Sequence, residues 1–434
     1  MRSVELFAGA GGLAMGVSAA GFAHDAVVEK DRYACDTIRE NQRLGVEPLV
    51  RWPLHEADVR AFDYSGVAGG TDLVAGGPPC QPFSLGGKHR GWSDERDMFP
   101  EMARAVRELK PKAVIVENVK GLMRRSFIRY FEYIVLRISH PEIQLKRDET
   151  WSEHLARLER HHARDPRSGL SYRVAFRLLN AADYGVPQRR ERVIIVGLRR
   201  DLASEWTFPK PTHSLDALLW DQWVSGEYWD RHGVARKDRP IPPPKLAARV
   251  LRLGKLFPPA ELPWTTVRDA ISDLPDPESP TSCGIPNHKF NPGARSYPGH
   301  TGSPLDAPAK TLKAGDHGVP GGENMLARPD GSVRYFTIRE SARLQTFPDD
   351  YVFHGSWTET MRQLGNAVPV KLGYEISREV AALVGWRSSA STVPGVDSAN
   401  VRSERKRLDD RSGYLGEFTS AGARGRVAAR LKGS

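Results

Sequence analysis

The 434-residue chain reads as an α/β protein, with a doubly wound, mostly parallel sheet in its first two hundred residues and a smaller, loop-rich region after it. Short runs rich in Val, Ile or Leu alternate with helical periodicity from Val4 to about Arg200, and a glycine-rich turn follows the first run. From Asp201 to Tyr335 that rhythm gives way to proline-rich stretches such as 240–244 and 274–280, interleaved with aromatic clusters. The length is about three times the usual domain of roughly 100–150 residues, so two units or one large domain with an insertion is expected.

Taken in order, the predicted strands are residues 3–7, 26–29, 72–75, 113–117 and 192–197. Between them Phe99, Met102, Val106 and Leu109 recur at helical spacing, which predicts a crossover helix over 99–109. The polar stretch 141–169, with His154, His161 and His162, interrupts the pattern and reads as a surface helix plus loop; no second ligand cluster at zinc spacing accompanies it. Thr337 followed by Glu340 is a capping box that opens a helix through about Thr346. A last helix follows Pro369, with Ile376, Val380, Leu383 and Val384 on one face. Past Trp386 the hydrophobic period is lost and a disordered tail is expected.

Composition narrows the class of protein. Hydrophobic residues make up 40% and charged residues 27%, ample for a core and too apolar for a wholly disordered chain. No apolar run approaches the roughly 20 residues of a membrane-spanning helix, and the start lacks a signal-peptide shape, so a soluble, cytoplasmic protein is expected. Cys35, Cys80 and Cys283 are too far apart for a disulfide framework or a Cys-x-x-Cys metal site. The net charge of +10 favours a polyanionic partner, and the last 48 residues, with ten Lys/Arg against five Asp/Glu, hold half of that excess.

Two motifs carry chemistry at the ends of predicted strands. Leu6-Phe7-Ala8-Gly9-Ala10-Gly11-Gly12 lets a ligand approach the backbone, and Glu29, at the end of the next strand, can accept hydrogen bonds from ribose hydroxyls, with Asp58 placed to meet an adenine amino group. Taken alone, a glycine-rich turn is as readily a tight turn. Gly76-Gly77-Pro78-Pro79-Cys80-Gln81-Pro82-Phe83-Ser84 is sharper. Its prolines stiffen the loop and aim a thiol outward from the carboxyl edge of the sheet, whereas a buried, inert cysteine would not need such a setting.

With this pair the chain resembles the bacterial DNA (cytosine-5-)-methyltransferases of restriction-modification type. Further motifs follow in the order of that family: Val116-Glu117-Asn118-Val119, then Tyr184-Gly185-Val186-Pro187-Gln188-Arg189-Arg190-Glu191-Arg192, then Arg339 to Pro348, then Gln363-Leu364-Gly365-Asn366-Ala367-Val368-Pro369. Glu117 also suits a helix-capping acid, the arginines a solvated charge run, and the capping-box helix a structural part. The resemblance implies a Rossmann-like domain dependent on S-adenosyl-L-methionine, with S-adenosyl-L-homocysteine as product and no metal. It assigns residues 1–200 and 357–386 to a discontinuous catalytic and cofactor-binding domain, 201–356 to a target-recognition domain and hinge, and 387–434 to the basic tail.

It further implies that Cys80 adds to carbon 6 of cytosine, that Glu117 offers a proton at ring nitrogen 3, and that Arg190 and Arg192 support the developing charge. Phe7, Gly9, Gly11, Glu29, Asp58, Val59, Pro79 and Asn366 carry over as cofactor contacts, with Lys30 beside them. The base must leave the duplex, and the loop after Cys80, with Ser84, Lys88 and Arg90, suits a segment that closes on DNA. Pro308-Ala309-Lys310-Thr311-Leu312 resembles the Thr-Leu element of the recognition region, which makes Thr311 a candidate DNA contact; a loop-terminating threonine reads almost as well. Trp220, Trp223, Trp229, Arg231 and His232 offer aromatic and basic surface there. The expected partner is double-stranded DNA, with a companion restriction endonuclease sharing the site, and the enzyme is expected to be a monomer. The alternatives are a transfer-RNA cytosine-5 methyltransferase, whose Cys-Phe-Thr element is missing here, and a DNA-binding relative that has lost catalysis. The glycine-rich motif begins within ten residues of Met1, so no amino-terminal regulatory domain is expected before it.

Overall fold

The computed structural model describes residues 1–67, 69–79, 97–165, 167–202, 206–280, 284–298, 300–314, 324–385 and 416–417. The large sheet is built from β1 (Arg2–Leu6), β2 (Ala23–Glu29), β3 (Leu54–Glu56), β4 (Leu73–Gly76), β5 (Ala113–Val119), β6 (Tyr172–Asn180) and β7 (Glu191–Arg199). Shorter strands follow: β8 (His213–Ser214), β9 (Leu262–Pro263), β10 (Ser303–Pro304), β11 (Met325–Ala327), β12 (Val333–Tyr335) and β13 (Gly416–Glu417). The helices are α1 (Gly12–Ala19), α2 (Arg32–Arg43), α3 (Phe99–Leu109), α4 (Ile128–Ser139), α5 (Trp151–Arg164), α6 (Leu215–Trp220), α7 (Glu227–Arg231), α8 (Pro244–Leu253), α9 (Val267–Ile271), α10 (Ile338–Leu344), α11 (Trp357–Asn366) and α12 (Val370–Val384).

The strand order is β13-β6-β7-β5-β4-β1-β2-β3. Strands β3, β2, β1, β4 and β5 are parallel, and β7 runs antiparallel to both β5 and β6. Alternation along each strand divides the core in two. Val74, Val114 and Val116 face α3 and α4 with Met102, Val106 and Ile134, while Leu73, Ala75, Ala113 and Ile115 face α1 and α12 with Leu13, Val17, Leu372 and Ile376. Burial on both faces explains why these strands read as continuous apolar runs. The reversal of strand order between β1 and β4 opens a crevice at their carboxyl ends, the usual ligand position in such sheets.

Helix α1 lies against α12 closely enough to require glycine. A Cβ on Gly12 would stand 2.2 Å from the carbonyl oxygen of Val368, and one on Gly16 would stand 2.5 Å from the amide nitrogen of Tyr374. A third core joins early and late parts of the chain: Ala8, Ala10, Ala14, Met15 and Ile38 pack with Val267, Ala309, Leu312, Phe336, Phe347, Tyr351 and Leu364.

Three expectations change. Strands β3 and β6 were not expected, and β7 runs against the parallel strands on either side of it. Helix α5 has a Thr150–Glu153 capping box but is not simply a solvated helix. His154 is fully buried, its Nδ1 2.9 Å from the Tyr133 hydroxyl and its Nε2 2.8 Å from the Ile143 carbonyl, and burial lowers its pKa to about 4. The tryptophan cluster is also a core and not a surface. Trp229 is buried and donates to the Gln222 carbonyl at 2.6 Å, with Trp223 packed beside it, while Arg231 and His232 are tied to Asp221 and Asp269.

Candidate active site

The crevice is assembled from strand ends. After β1 the chain turns through Phe7 at φ 56°, Gly9 at φ 55° and Gly11 at φ 82°. Left-handed backbone at three of five positions bends the chain sharply, with Gly11 N donating to Ala8 O at 2.9 Å, and a Cβ at Gly9 would meet nothing within 4 Å, so there is room for a ligand against the loop. The Glu29 carboxylate closes the turn, with Oε2 accepting from Gly9 N at 2.7 Å and Oε1 from Lys30 N and Asp31 N at 2.8 and 2.7 Å. Burial pushes this carboxyl up, against the three N–H bonds that pull it down.

Asp58 follows β3 and caps the turn that begins at buried Val59. Its carboxylate accepts from Arg60 Nε and Nη2 at 3.0 and 2.7 Å, with Lys30 Nζ at 3.7 Å, and is held well below the usual carboxylate range chiefly by Arg60. Asn366, exposed at the end of α11, and half-buried Pro79 complete the described residues expected at the cofactor.

The reversed direction of β7 is what brings Glu117 and Arg192 together. Val119 pairs with Arg192 and Glu117 with Ile194, so the start of β7 lies beside the carboxyl end of β5. Glu117, only 7% exposed, has its Oε1 2.8 Å from Arg192 Nε. Its other oxygen lies against the loop after β4, where a Cβ on Gly77 would come within 3.1 Å of it. The next residue, Asn118, donates from Nδ2 to the Pro78 carbonyl at 3.0 Å and accepts from Val119 N at 2.9 Å. The acid is thereby tied to the backbone two residues ahead of Cys80. Cys80 itself, with Ser84, Lys88 and Arg90, lies outside the described residues, as do Cys283 and, Gly416–Glu417 excepted, the tail from 386 on.

Arg190 takes a different position from Arg192. It is fully buried, and its Nη1 and Nη2 donate to the carbonyls of Leu312 and Gly365 at 3.1 and 2.7 Å. Thr311 donates its hydroxyl to the Arg189 carbonyl at 2.7 Å, and the same segment exchanges Arg189 N to Ala309 O and Ala309 N to Pro187 O at 2.8 and 2.9 Å. Gln188 adds bonds to Leu344 O and Leu312 N. The residues around Thr311 are therefore a strand-like brace along the arginine motif. The motif from Arg339 to Pro348 is likewise internal: Arg339 donates to three carbonyls, Glu340 pairs with Arg334 at 2.6 Å, and Gln345 reaches Leu364 O. Sequence reasoning did not single out Asn118 as the tie to the loop, nor Tyr351, whose hydroxyl donates to Ala10 O at 2.5 Å. An asparagine directly after the acid was visible; the tyrosine, 341 positions from its partner, left no local signal.

Fold and crevice together define a Rossmann-like methyltransferase. The profile of the C-5 cytosine-specific DNA methylases matches residues 1–140, 166–230 and 296–382, and the chain belongs to that family. It is 31% identical over 390 residues to Type II methyltransferase M.NgoMIV of Neisseria gonorrhoeae, covering 87% of this chain and 96% of that one. It is 32% identical to M.PspPI of a Psychrobacter strain, over 88% of this chain and 79% of that protein. Among solved structures, the Schizosaccharomyces pombe Dnmt2 methyltransferase shares the fold at 17% identity and a TM-score of 0.50, over 88% of this chain and 99% of that one. The protein is thus a DNA cytosine-5 methyltransferase, and the family uses S-adenosylmethionine as its methyl donor. Among the described residues no group of His, Cys, Asp and Glu could hold a metal ion, and no helix is long and apolar enough to cross a membrane.

Proposed function

We propose that this enzyme methylates carbon 5 of a cytosine rotated out of a specific short duplex sequence, with Cys80 as nucleophile and Glu117 as the acid. The observation that carries the reading is the Glu117–Arg192 pair at 2.8 Å, set against Gly77 and joined through Asn118 to the loop that enters Cys80. Carbon 5 is a poor nucleophile in the intact ring. A bond from Cys80 Sγ to carbon 6 sends the ring electrons toward carbon 5, and a proton held by Glu117 at nitrogen 3 offsets the charge that develops. Arg192 orients that carboxyl, and Arg190 braces the strand end that presents it. S-adenosylmethionine supplies the methyl group, held by the Phe7–Gly11 turn, Glu29, Asp58, Val59, Pro79 and Asn366. Loss of the proton at carbon 5 and elimination of Sγ then restore the ring and free Cys80.

Residues 1–200 and 357–386 would form the catalytic unit and 201–356 the target-recognition region. Ser84, Lys88, Arg90 and Thr311 are proposed DNA contacts, and the setting is cytoplasmic, with a companion endonuclease that cuts the unmethylated site. The test is transfer of labelled methyl from S-adenosylmethionine to unmethylated genomic DNA and, in parallel, to transfer RNA, with bisulfite sequencing of the DNA. Label confined to one short DNA motif and abolished by Cys80→Ser is the expected result. Label on RNA alone, or label that survives Cys80→Ser, overturns the reading.

A further inference from the structure

Between the matched segments 166–230 and 296–382 the chain carries a stretch with an unusual surface. Residues 236–257 hold seven Lys/Arg (Arg236, Lys237, Arg239, Lys245, Arg249, Arg252, Lys255) and one acid, Asp238, so a twentieth of the sequence supplies a local charge of +6 in a chain whose total is +10. Arg239 and Arg249 are engaged with Asp230 and Asp216. Lys237, Lys245, Arg252 and Lys255 are exposed, and none meets a carboxylate among the described residues.

The same stretch is apolar where water is expected. The five most exposed large hydrophobic residues among those described are Phe257 at 92%, Ile241 at 85%, Leu251 at 71%, Leu262 at 59% and Leu256 at 58%, all within 241–262. Helix α8 does have an inner face, since Val250 and Leu253 pack with Leu219, Trp220 and Leu246. Leu251 and Arg252 belong to its outer one. Isolated exposed side chains are ordinary, but a run of them on a firmly packed element marks a contact surface.

The base of this element is fixed to the catalytic motifs. Strand β8 pairs with β9, Thr212 N donates to Asp183 O at 2.9 Å, and Trp264 Nε1 reaches Asp183 Oδ1 at 3.0 Å, just ahead of the Gln188–Arg192 segment. On its other side Tyr228 and Gln222 bond Asp306 at 2.8 and 2.7 Å, at the entry to the brace that carries Thr311. A surface so charged repels a second copy of itself and suits a polyanion, and its anchorage sets it beside the arginine motif.

We infer that residues 236–257 form a DNA-gripping arm in which Lys237, Lys245, Arg252 and Lys255 contact phosphates and the exposed Phe257 contacts base edges in the groove. The inference rests on the DNA methyltransferase reading and names the recognition element within it. Each phosphate contact contributes about 0.9 to the slope of log affinity against log salt. In the full-length protein, K237Q/K245Q/R252Q/K255Q should flatten that slope by roughly 3–4 on a 30-base-pair duplex containing the motif that the wild-type enzyme methylates. These side chains have no ion pair among the described residues, so thermal melting should match wild type and exclude misfolding as the cause. F257A should keep the slope while losing several-fold of the preference for that duplex over a scrambled one, since an apolar ring discriminates bases through contacts such as that with the thymine methyl. An unchanged slope overturns the arm. Unchanged discrimination overturns the place of Phe257, and binding of wild type to anionic phospholipid vesicles as tightly as to the duplex assigns the surface to a membrane instead. Should the wild-type enzyme methylate no DNA at all, the functional reading fails, an outcome distinct from a methylating enzyme whose quadruple variant binds unchanged.

Discussion

Replacing Asn118 tests whether the loop after β4 is positioned from β5. Asn118 is 2% exposed and makes two bonds, to Pro78 O at 3.0 Å and from Val119 N at 2.9 Å. In Asn118→Ala both are lost. A net hydrogen bond is worth about 1 kcal/mol and an orphaned buried backbone group costs about 1–3 kcal/mol, so a loss of about 2–4 kcal/mol is expected, read as a lower urea midpoint. The larger effect should fall on chemistry. A misplacement near 1 Å in a reacting group costs on the order of 10²-fold, and Pro78 is two residues from Cys80. Single-turnover transfer of labelled methyl should therefore drop about 100-fold, while the dissociation constant for S-adenosylmethionine by calorimetry changes less than about threefold. Asn118→Asp separates positioning from packing. It keeps the acceptor for Val119 N and the side-chain volume but presents an oxygen to the Pro78 carbonyl, so its transfer rate should fall as far as that of the alanine variant. If Asn118→Asp transfers methyl at the wild-type rate, the Pro78 tie does not place the thiol and the reasoning is wrong.

Other perturbations follow from the same contacts. Gly12→Ala puts a Cβ 2.2 Å from Val368 O, and since backbone must move, a loss of about 1–3 kcal/mol or more and a lower melting temperature are expected; an unchanged melt would refute the close contact of α1 with the segment that leads into α12. Tyr351→Phe removes the hydroxyl that holds Ala10 O at 2.5 Å, so stability should fall by roughly 1–2 kcal/mol and the glycine-rich turn should bind S-adenosylmethionine several-fold more weakly, as titration calorimetry would show. Burial lowers His24 and His154 to about 4 each and His140 to about 3. Their folded values lie below the unfolded value near 6.5, so their contribution is complete above that pH and declines as pH falls from 6.5 toward 4. Urea unfolding at stepped pH should show this decline, and His24→Gln, whose imidazole bonds Ser3 Oγ and Ala14 O at 3.0 Å, should make it shallower; equal slopes would count against a neutral buried His24.

Much of the sheet was legible because its central strands are buried on both faces and announce themselves as apolar runs, and α3 falls on the bounds its periodicity predicted. Strand β3 was not, being three residues long with two of them exposed. Strand β6 was hidden by Arg173 and Arg177, and its apolar alternation is weak. Glu117 and Arg192 stand out in the sequence as members of ordered motifs, but their meeting depends on β7 running backward, which no local pattern encodes. His154 looked solvated because its partners lie 21 and 11 positions away. The tryptophans looked like surface because their core is closed by residues from three short helices. The basic arm escaped notice since its seven cations were averaged with the acids of the whole body.

The contacts also divide the family motifs by what they do. Gly9, Glu29, Glu117 and Arg192 stand at or near strand ends of the large sheet, whereas Gln188, Arg190, Arg339, Glu340 and Gln345 spend their hydrogen bonds inside the protein. Gly365 shows why the second group matters to the first. A Cβ there would stand 2.3 Å from Ala314 N, and its carbonyl holds Arg190 Nη2 at 2.7 Å, so α11, the brace after Ala309 and the start of β7 close on one another at one point. The strand end that delivers Arg192 to Glu117 is therefore held by segments more than a hundred residues downstream. Order at the Glu117–Arg192 pair thus requires the late part of the chain to be folded.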